Sequence, residues 1–180
     1  MYNVIVNIYI VLGDDIMGKL IGLAVRIIES KKPKEIINYH YAKEMENSKV
    51  ALSSDLGISK KHIADLEKLI LFFKSKDDGK QVYVSADILD IISSKEPFIP
   101  TELKEYIPMP YCNDEKRTWL LIKNINIINE NELDNYIDND GKSLVEALKA
   151  PRFPRLYFKK KSDDSMNIED YSKNMPKLFK

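Results

Sequence analysis

The sequence predicts an α+β fold, a small mixed β-barrel or curved sheet of five to six strands with short peripheral helices. Three dense apolar runs support this prediction, at residues 68–76, 81–93 and 118–128. An Asp-Asp-Gly turn separates the first two runs, and the third contains the only Trp of the chain. Runs rich in Ile, Leu, Val, Phe and Tyr around such a turn predict a hairpin followed by a central strand.

Composition limits the class of protein. The chain has 180 residues, 44% of them apolar, which is enough for one domain with a buried core. Its 28 basic and 28 acidic residues give a formal net charge of zero, so binding to a polyanion requires a local basic patch. A single cysteine, Cys112, excludes an internal disulfide and a cysteine-rich zinc site, and it fits a cytoplasmic location.

The predicted domain covers residues 19–161, with a segment on either side. Residues 1–18 are an N-terminal extension or an extra strand, and Met17 is an alternative start of the chain. The apolar stretch at residues 2–13 alternates in the manner of a strand, and it is shorter than the roughly 20 residues that a membrane span needs. Residues 162–180 are polar and lack a pattern, which predicts a flexible tail.

Further elements follow in order along the chain. A strand is predicted at 19–29, where Gly22 marks a close approach of another group. Apolar spacing and cap residues predict short helices, and alternation predicts a final strand at 155–160. The helices are predicted at 35–41, 59–69, 101–107, around 132–137, and at 143–149.

Residues 48–161 resemble the PUA-like superfamily of small β-barrels, which includes the ASCH, EVE and YTH domains. The resemblance is closest to uncharacterised archaeal members. It rests on Gly-Ile-Ser at 57–59 before a helix, on the hairpin with Val-Ser-Ala-Asp at 84–87, and on RTWLLIKNI followed by Pro-Arg-Phe. The KLIGLAV strand that precedes this stretch belongs to the same pattern.

The resemblance implies an RNA or modified-nucleotide binder with a pocket beside the barrel. Two features of the family are missing from this chain. The ASCH signature of Gly, Lys and Glu near the first strand is absent. The aromatic cage of YTH domains needs several Trp residues, and here only Trp119 exists.

The strongest local signal for nucleic acid lies near the end of the predicted domain. Cations alternate there with aromatic residues: Arg152, Phe153, Arg155, Tyr157, Lys159, Lys160 and Lys161. Cations neutralise phosphates, and aromatic or guanidinium planes stack on bases. The alternative is a core strand whose rings point inward while its lysines extend into water.

A second basic segment forms the start of the 59–69 helix. Ser53, Ser54, Ser59, Lys60, Lys61 and His62 surround this start, where exposed backbone N–H groups can receive a phosphate. The alternative is an N-cap with a solvated first turn. In a cleft between the barrel and these two segments, Lys60, Arg152, Arg155 and Lys160 would hold phosphate. Trp119, Tyr83 or Phe153 would stack on a base there, although the residue type of Trp119 favours a core position.

Two other functions remain open. The segment LSSDLGISKKHIADLEKLI resembles a helix-turn-helix, in which Lys60 to His62 would enter the DNA major groove and the hairpin would be a wing. An ASCH-like hydrolase of modified nucleosides is the enzymatic alternative, with Lys60 and Asp87 as the residues to test. No metal-ligand spacing, glycine-rich phosphate loop or catalytic pattern is present, so no metal or cofactor is predicted. We therefore expect RNA or a modified nucleotide as partner, DNA as a second choice, and no membrane.

Overall fold

The computed structural model describes residues 20–28, 32–150 and 155–161. The elements described below belong to one compact unit, Lys19–Lys160. The predicted N-terminal extension or strand, with its alternative start at Met17, and the predicted tail at 162–180 lie outside the described residues.

Seven strands and three α-helices make up this described part of the chain. The strands are β1 (Leu20–Arg26), β2 (Val50–Ser54), β3 (Lys68–Lys74), β4 (Gln81–Phe98), β5 (Lys116–Ile128), β6 (Tyr136–Asp138) and β7 (Arg155–Lys160). The helices are α1 (Pro33–Asn47), α2 (Lys60–Ile63) and α3 (Leu144–Lys149). Short 3₁₀ turns occur at Thr101–Tyr106, Met109–Tyr111 and Glu130–Leu133. None of the described helices has the length and apolarity needed to cross a bilayer.

All seven strands belong to one mixed sheet with the order β2-β5-β4-β3-β1-β7-β6. Only β1 and β3 run parallel; the other neighbours are antiparallel. The α+β class is thus confirmed. Within the described residues β2 and β6 are the two edges of an open sheet, so closure into a barrel is not confirmed, and the strands outnumber the five to six expected.

The predicted hairpin and central strand are confirmed. β3 pairs with β4 from Lys68↔Asp87 to Lys74↔Gln81, and the Asp-Asp-Gly segment makes the turn with Gly79 at φ 68. β5 then lies beside β4. β4 continues to Phe98, beyond the predicted end, because after an irregularity in the register Phe98 still pairs with Lys116.

Side chains that alternate along the strands give the sheet two faces. Leu23, Leu69 and Leu71 point to the face covered by α1 and by residues 55–66, which we call the α1 face. Ala24, Ile70 and Phe72 point to the opposite face. We call it the α3 face, because α3 and the turn at Glu130–Leu133 pack on it near β1 and β7. The turn at Thr101–Tyr106 covers the same side near β2 and β5.

Gly22 is required by a close contact on the α3 face. A Cβ atom at this position would lie 2.0 Å from the tip of the Phe158 ring, which is fully buried. The sequence predicted that another group approaches this glycine, and the group is an aromatic side chain of β7.

Two predicted helices have different lengths in the structure. The 35–41 helix extends over Pro33–Asn47, because Pro33 occupies a first-turn position, where its missing N–H costs no hydrogen bond. The 59–69 helix shrinks to Lys60–Ile63. Its apolar spacing misled the prediction, since Leu69 belongs to β3 and is buried in the sheet.

A polar latch holds α1 over the sheet. Asn124 has a left-handed backbone, φ 57, at an irregularity of the β4–β5 register, which leaves N–H groups of β5 without strand partners. The Glu44 carboxylate of α1 accepts the N–H groups of Asn124 and Ile125, the latter at 3.1 Å. These charge-assisted bonds tie the C-terminal half of α1 to β5.

Candidate nucleic-acid interface

The two basic segments predicted from the sequence lie against each other. The Arg155 guanidinium on β7 donates a hydrogen bond to the carbonyl oxygen of Gly57, just before α2. The His62 ring of α2 lies 5.0 Å from the Tyr157 ring, centroid to centroid, at a tilt of 44°. Arg155 also approaches this ring, with Cζ 5.9 Å from its centroid.

Strand alternation explains this arrangement. Arg155, Tyr157 and Lys159 occupy every second position of β7 and share the α1 face, while Phe158 enters the core on the other face. Lys61 is exposed in α2 beside His62. We call the five residues Lys61, His62, Arg155, Tyr157 and Lys159 the cation–aromatic platform.

A cavity of about 360 Å³ opens next to the platform, between α1, the segment 53–58 at the end of β2, and the α1 face of the sheet. Its wall is mostly aliphatic, with Leu23, Leu52 and Leu71 among its residues. Arg155 lines both this cavity and the platform. Pockets that bind small molecules in proteins have similar sizes, about 300–1,000 Å³.

His40 and Tyr111 add two polar side chains to the cavity wall, and their rings stack at 5.3 Å. Burial lowers the pKa of His40 to about 4, although the backbone carbonyls of Ile36 and Ala51 act in the opposite direction. His40 Nδ1 lies 2.7 Å from the Ile36 carbonyl oxygen, and the Ala51 backbone is a second hydrogen-bonding partner of the ring.

Tyr111 also remains uncharged at neutral pH. Burial raises the pKa of its hydroxyl, and Tyr39 and the carboxylates of Glu35 and Asp114 act in the same direction. His40 and Tyr111 are therefore neutral hydrogen-bonding groups of the wall.

Trp119 and Tyr83 do not belong to the interface, which corrects the prediction that they stack on a base. Trp119 is fully buried, and its Nε1 donates to the Phe98 carbonyl at 2.9 Å. Tyr83 is 2% exposed and packs on the α3 face. Neither ring is accessible to a base, so the alternative interpretation of Trp119 as a core residue is correct.

The other predicted site residues are Ser59, Lys60, Arg152, Phe153 and Lys160. Ser59 is exposed and forms the N-cap of α2 without a side-chain hydrogen bond. Lys160 is exposed on β7 at the position after Lys159, which points it away from the platform. Lys60 begins α2, but the placement of its side chain is not described, and Arg152 and Phe153 lie outside the described residues.

The helix-turn-helix prediction is wrong in its geometry. The segment that would hold the first helix contains β2, and the recognition helix is the single turn α2, followed by β3. A helix that reads the major groove needs several turns and a supporting helix across it. The structure provides neither in this segment.

Asp87, one of the residues suggested for a hydrolase, is engaged in structural contacts. Its carboxylate accepts hydrogen bonds from Lys68 Nζ at 2.5 Å and from Asn124 Nδ2 at 2.6 Å. Partial burial raises the pKa of Asp87, but these bonds outweigh it and the pKa is lowered overall. Asp87 does not line the cavity, and the described residues contain no cluster of metal-ligating side chains.

Sequence reasoning missed His40 and Tyr111 as residues of the cavity. His40 lies one helical turn after Ile36, and this i, i+4 spacing with an apolar residue was the available signal. Tyr111 comes from the distant turn at Met109–Tyr111, and only the fold brings it to His40.

Comparison with models of known protein families, with curated proteins and with solved structures gives no match to this chain. The candidate interface is therefore interpreted from its own geometry.

Proposed function

We propose that the protein binds single-stranded RNA on the cation–aromatic platform. The observation that supports this most directly is the contact of His62 with Tyr157, flanked by the guanidinium of Arg155. Aromatic and guanidinium planes stack on unpaired bases, and flanking lysines neutralise phosphates. Lys61 is adjacent to His62 in α2, and Lys159 lies two residues after Tyr157 in β7.

The charge distribution predicts a binding mode that depends weakly on salt. The chain as a whole has no net charge, so attraction is restricted to the three cations of the platform. For single strands, log K falls with log salt with a slope of about −0.7 for each phosphate neutralised. Three contacts give a slope of about −2.

The test is binding of a labelled uridine oligonucleotide to the full chain at several salt concentrations. Tyr157→Ala removes one stacking surface and should weaken binding about fivefold or more, since stacking is worth about 1–3 kcal/mol per base. Lys159→Ala should reduce the salt slope by about 0.7. Lys80→Ala is the matched control, because Lys80 lies in the β3–β4 turn with its side chain 81% exposed.

Two results would contradict the proposal. One is unchanged affinity in the Tyr157→Ala and Arg155→Ala variants. The other is preference for duplex DNA over single strands of the same sequence, because a duplex offers no unpaired base to stack. A single-stranded DNA oligonucleotide measures the contribution of the RNA 2′-hydroxyl.

The relationship to PUA-like barrels and the choice of a modified nucleotide remain predictions. The β3–β4 hairpin beside the Trp119 strand supports the relationship. The open strand order within the described residues gives no support to barrel closure.

A further inference from the structure

The cavity on the α1 face differs in chemistry from the platform beside it. Its wall includes Val25, Ile36, Leu52, Ile58 and Leu69, all aliphatic and contributed by four separate segments of the chain. Its volume of about 360 Å³ lies within the range of pockets that bind small molecules, about 300–1,000 Å³. A wall of this composition favours ligands that bury apolar surface.

Five charged residues of the described chain line the cavity: Arg26, Asp55, Asp114, Lys116 and Arg155. The Arg26 guanidinium is engaged elsewhere, since it donates to the carbonyl oxygens of Leu148 and Ala150. Lys116 donates to both carboxylate oxygens of Asp55 at 3.0 Å, so these two charges neutralise each other. Asp114, another residue of the cavity wall, lies two positions before Lys116 in the chain. Across the part of the chain that the structure describes, the guanidinium of Arg155 contacts a carbonyl oxygen and a ring, and no carboxylate lies within ion-pair distance of it.

We propose that the cavity binds a small organic anion with a compact apolar body. The apolar body lies among the aliphatic side chains, and the anionic group lies at the rim, paired with Arg155. A guanidinium suits this role because its planar fork matches carboxylate and sulfonate groups. The neutral His40 and Tyr111 add hydrogen-bonding groups without a charge that would repel the anion.

The test uses 1-anilinonaphthalene-8-sulfonate, a fluorescent probe that combines an apolar ring system with one sulfonate. We expect saturable binding at one site of the full chain at pH 7, with competition by decanoate. Leu56→Trp places an indole at the half-buried edge of the cavity and should weaken binding at least tenfold. Leu89→Trp is the control, because Leu89 is exposed on β4 and does not line the cavity.

Arg155→Gln tests the anionic part of the proposal. It should weaken sulfonate binding at least fivefold and leave binding of the neutral analogue N-phenyl-1-naphthylamine unchanged. Val25→Phe is a second cavity-filling variant in case Leu56→Trp does not fold. Near-ultraviolet circular dichroism of the buried Trp119 reports whether each variant keeps its native packing.

Non-saturating fluorescence, or equal binding to the Leu56→Trp and Leu89→Trp variants, would overturn the cavity as the site. If the Arg155→Gln variant lost affinity for the sulfonate and for the neutral analogue to the same extent, the proposed pairing of the anionic group with Arg155 would be overturned. The two proposals share Arg155, but their failures are distinguishable, because Tyr157→Ala tests RNA binding without touching the cavity and Leu56→Trp tests the cavity without touching the platform. A chain that binds the sulfonate but not RNA refutes the platform alone.

Discussion

The two faces of the sheet differ in how closely their covering side chains are packed. On the α3 face, Phe158 fills the space above Gly22 so closely that no Cβ fits, and α3 adds the fully buried Leu144. On the α1 face, the covering helix leaves a cavity of about 360 Å³. The helix there is attached partly by polar contacts, from Glu44 to β5 and from His40 to the Ala51 backbone of β2. The comparison indicates that the α3 face provides stability and the α1 face provides space for a ligand.

The largest effect is expected on the tightly packed face. Gly22→Ala should lower the free energy of unfolding by about 3 kcal/mol, the upper end of the usual cost of overpacking, because its Cβ would overlap three atoms of the buried Phe158 ring. Urea denaturation measures the loss. Gly57→Ala is the control and should change stability by less than about 0.5 kcal/mol, since a Cβ there meets no atom within 4 Å.

A double-mutant cycle shows whether this contact is the cause. In a Phe158→Leu background the ring is absent, so Gly22→Ala should cost much less than in the natural chain. An equal cost in both backgrounds would show that the strand, and not the ring, requires glycine.

On the α1 face, low pH should reduce the free energy of unfolding through protonation of His40. Its pKa is lowered from 6.5 to about 4 by folding, so the unfolded state binds a proton first as pH falls. The stability from the neutral ring is therefore present above pH 6.5 and is lost between pH 6.5 and 4, by about 3 kcal/mol. Denaturation midpoints measured across this range check the prediction.

The matched variants use the two histidines of the chain. His40→Gln should flatten the pH dependence between 6.5 and 4, whereas His62→Gln, on the platform, should leave it in place. A profile that His40→Gln does not alter would assign the acid sensitivity to other groups. The pKa of Asp87 is lowered overall, so the ionised carboxylate stabilises the protein above its ordinary value of 3.8. This stability is lost only below pH 3.8, outside the range of the His40 effect.

The smallest of the three stability effects concerns the latch of α1. Glu44→Gln removes the charge from the bonds to the N–H groups of Asn124 and Ile125 and should cost about 1–2 kcal/mol. Glu46→Gln is the control, since Glu46 is exposed and forms only an i, i+3 pair with Lys43. Hydrogen exchange at Ile125 should accelerate in the first variant alone.

The sequence predicted the strands better than the helices and the site. The hairpin and β7 were found because apolar runs and alternation are local signals. The 59–69 helix was overestimated because Leu66 and Leu69 fit a helical period but are buried by the sheet. Trp119 was assigned to the interface on residue type, and only the packing of the turn at Thr101–Tyr106 shows that it is buried. The cavity was not predictable, since its wall joins segments that are distant along the chain.

The looser packing beneath α1 also bears on how the protein responds to hydrostatic pressure. Unfolding eliminates internal voids, and a state of smaller volume is favoured under compression. Pressure should therefore disrupt the α1 side before the side that carries Phe158. An occupant of the space would raise the pressure at which this happens.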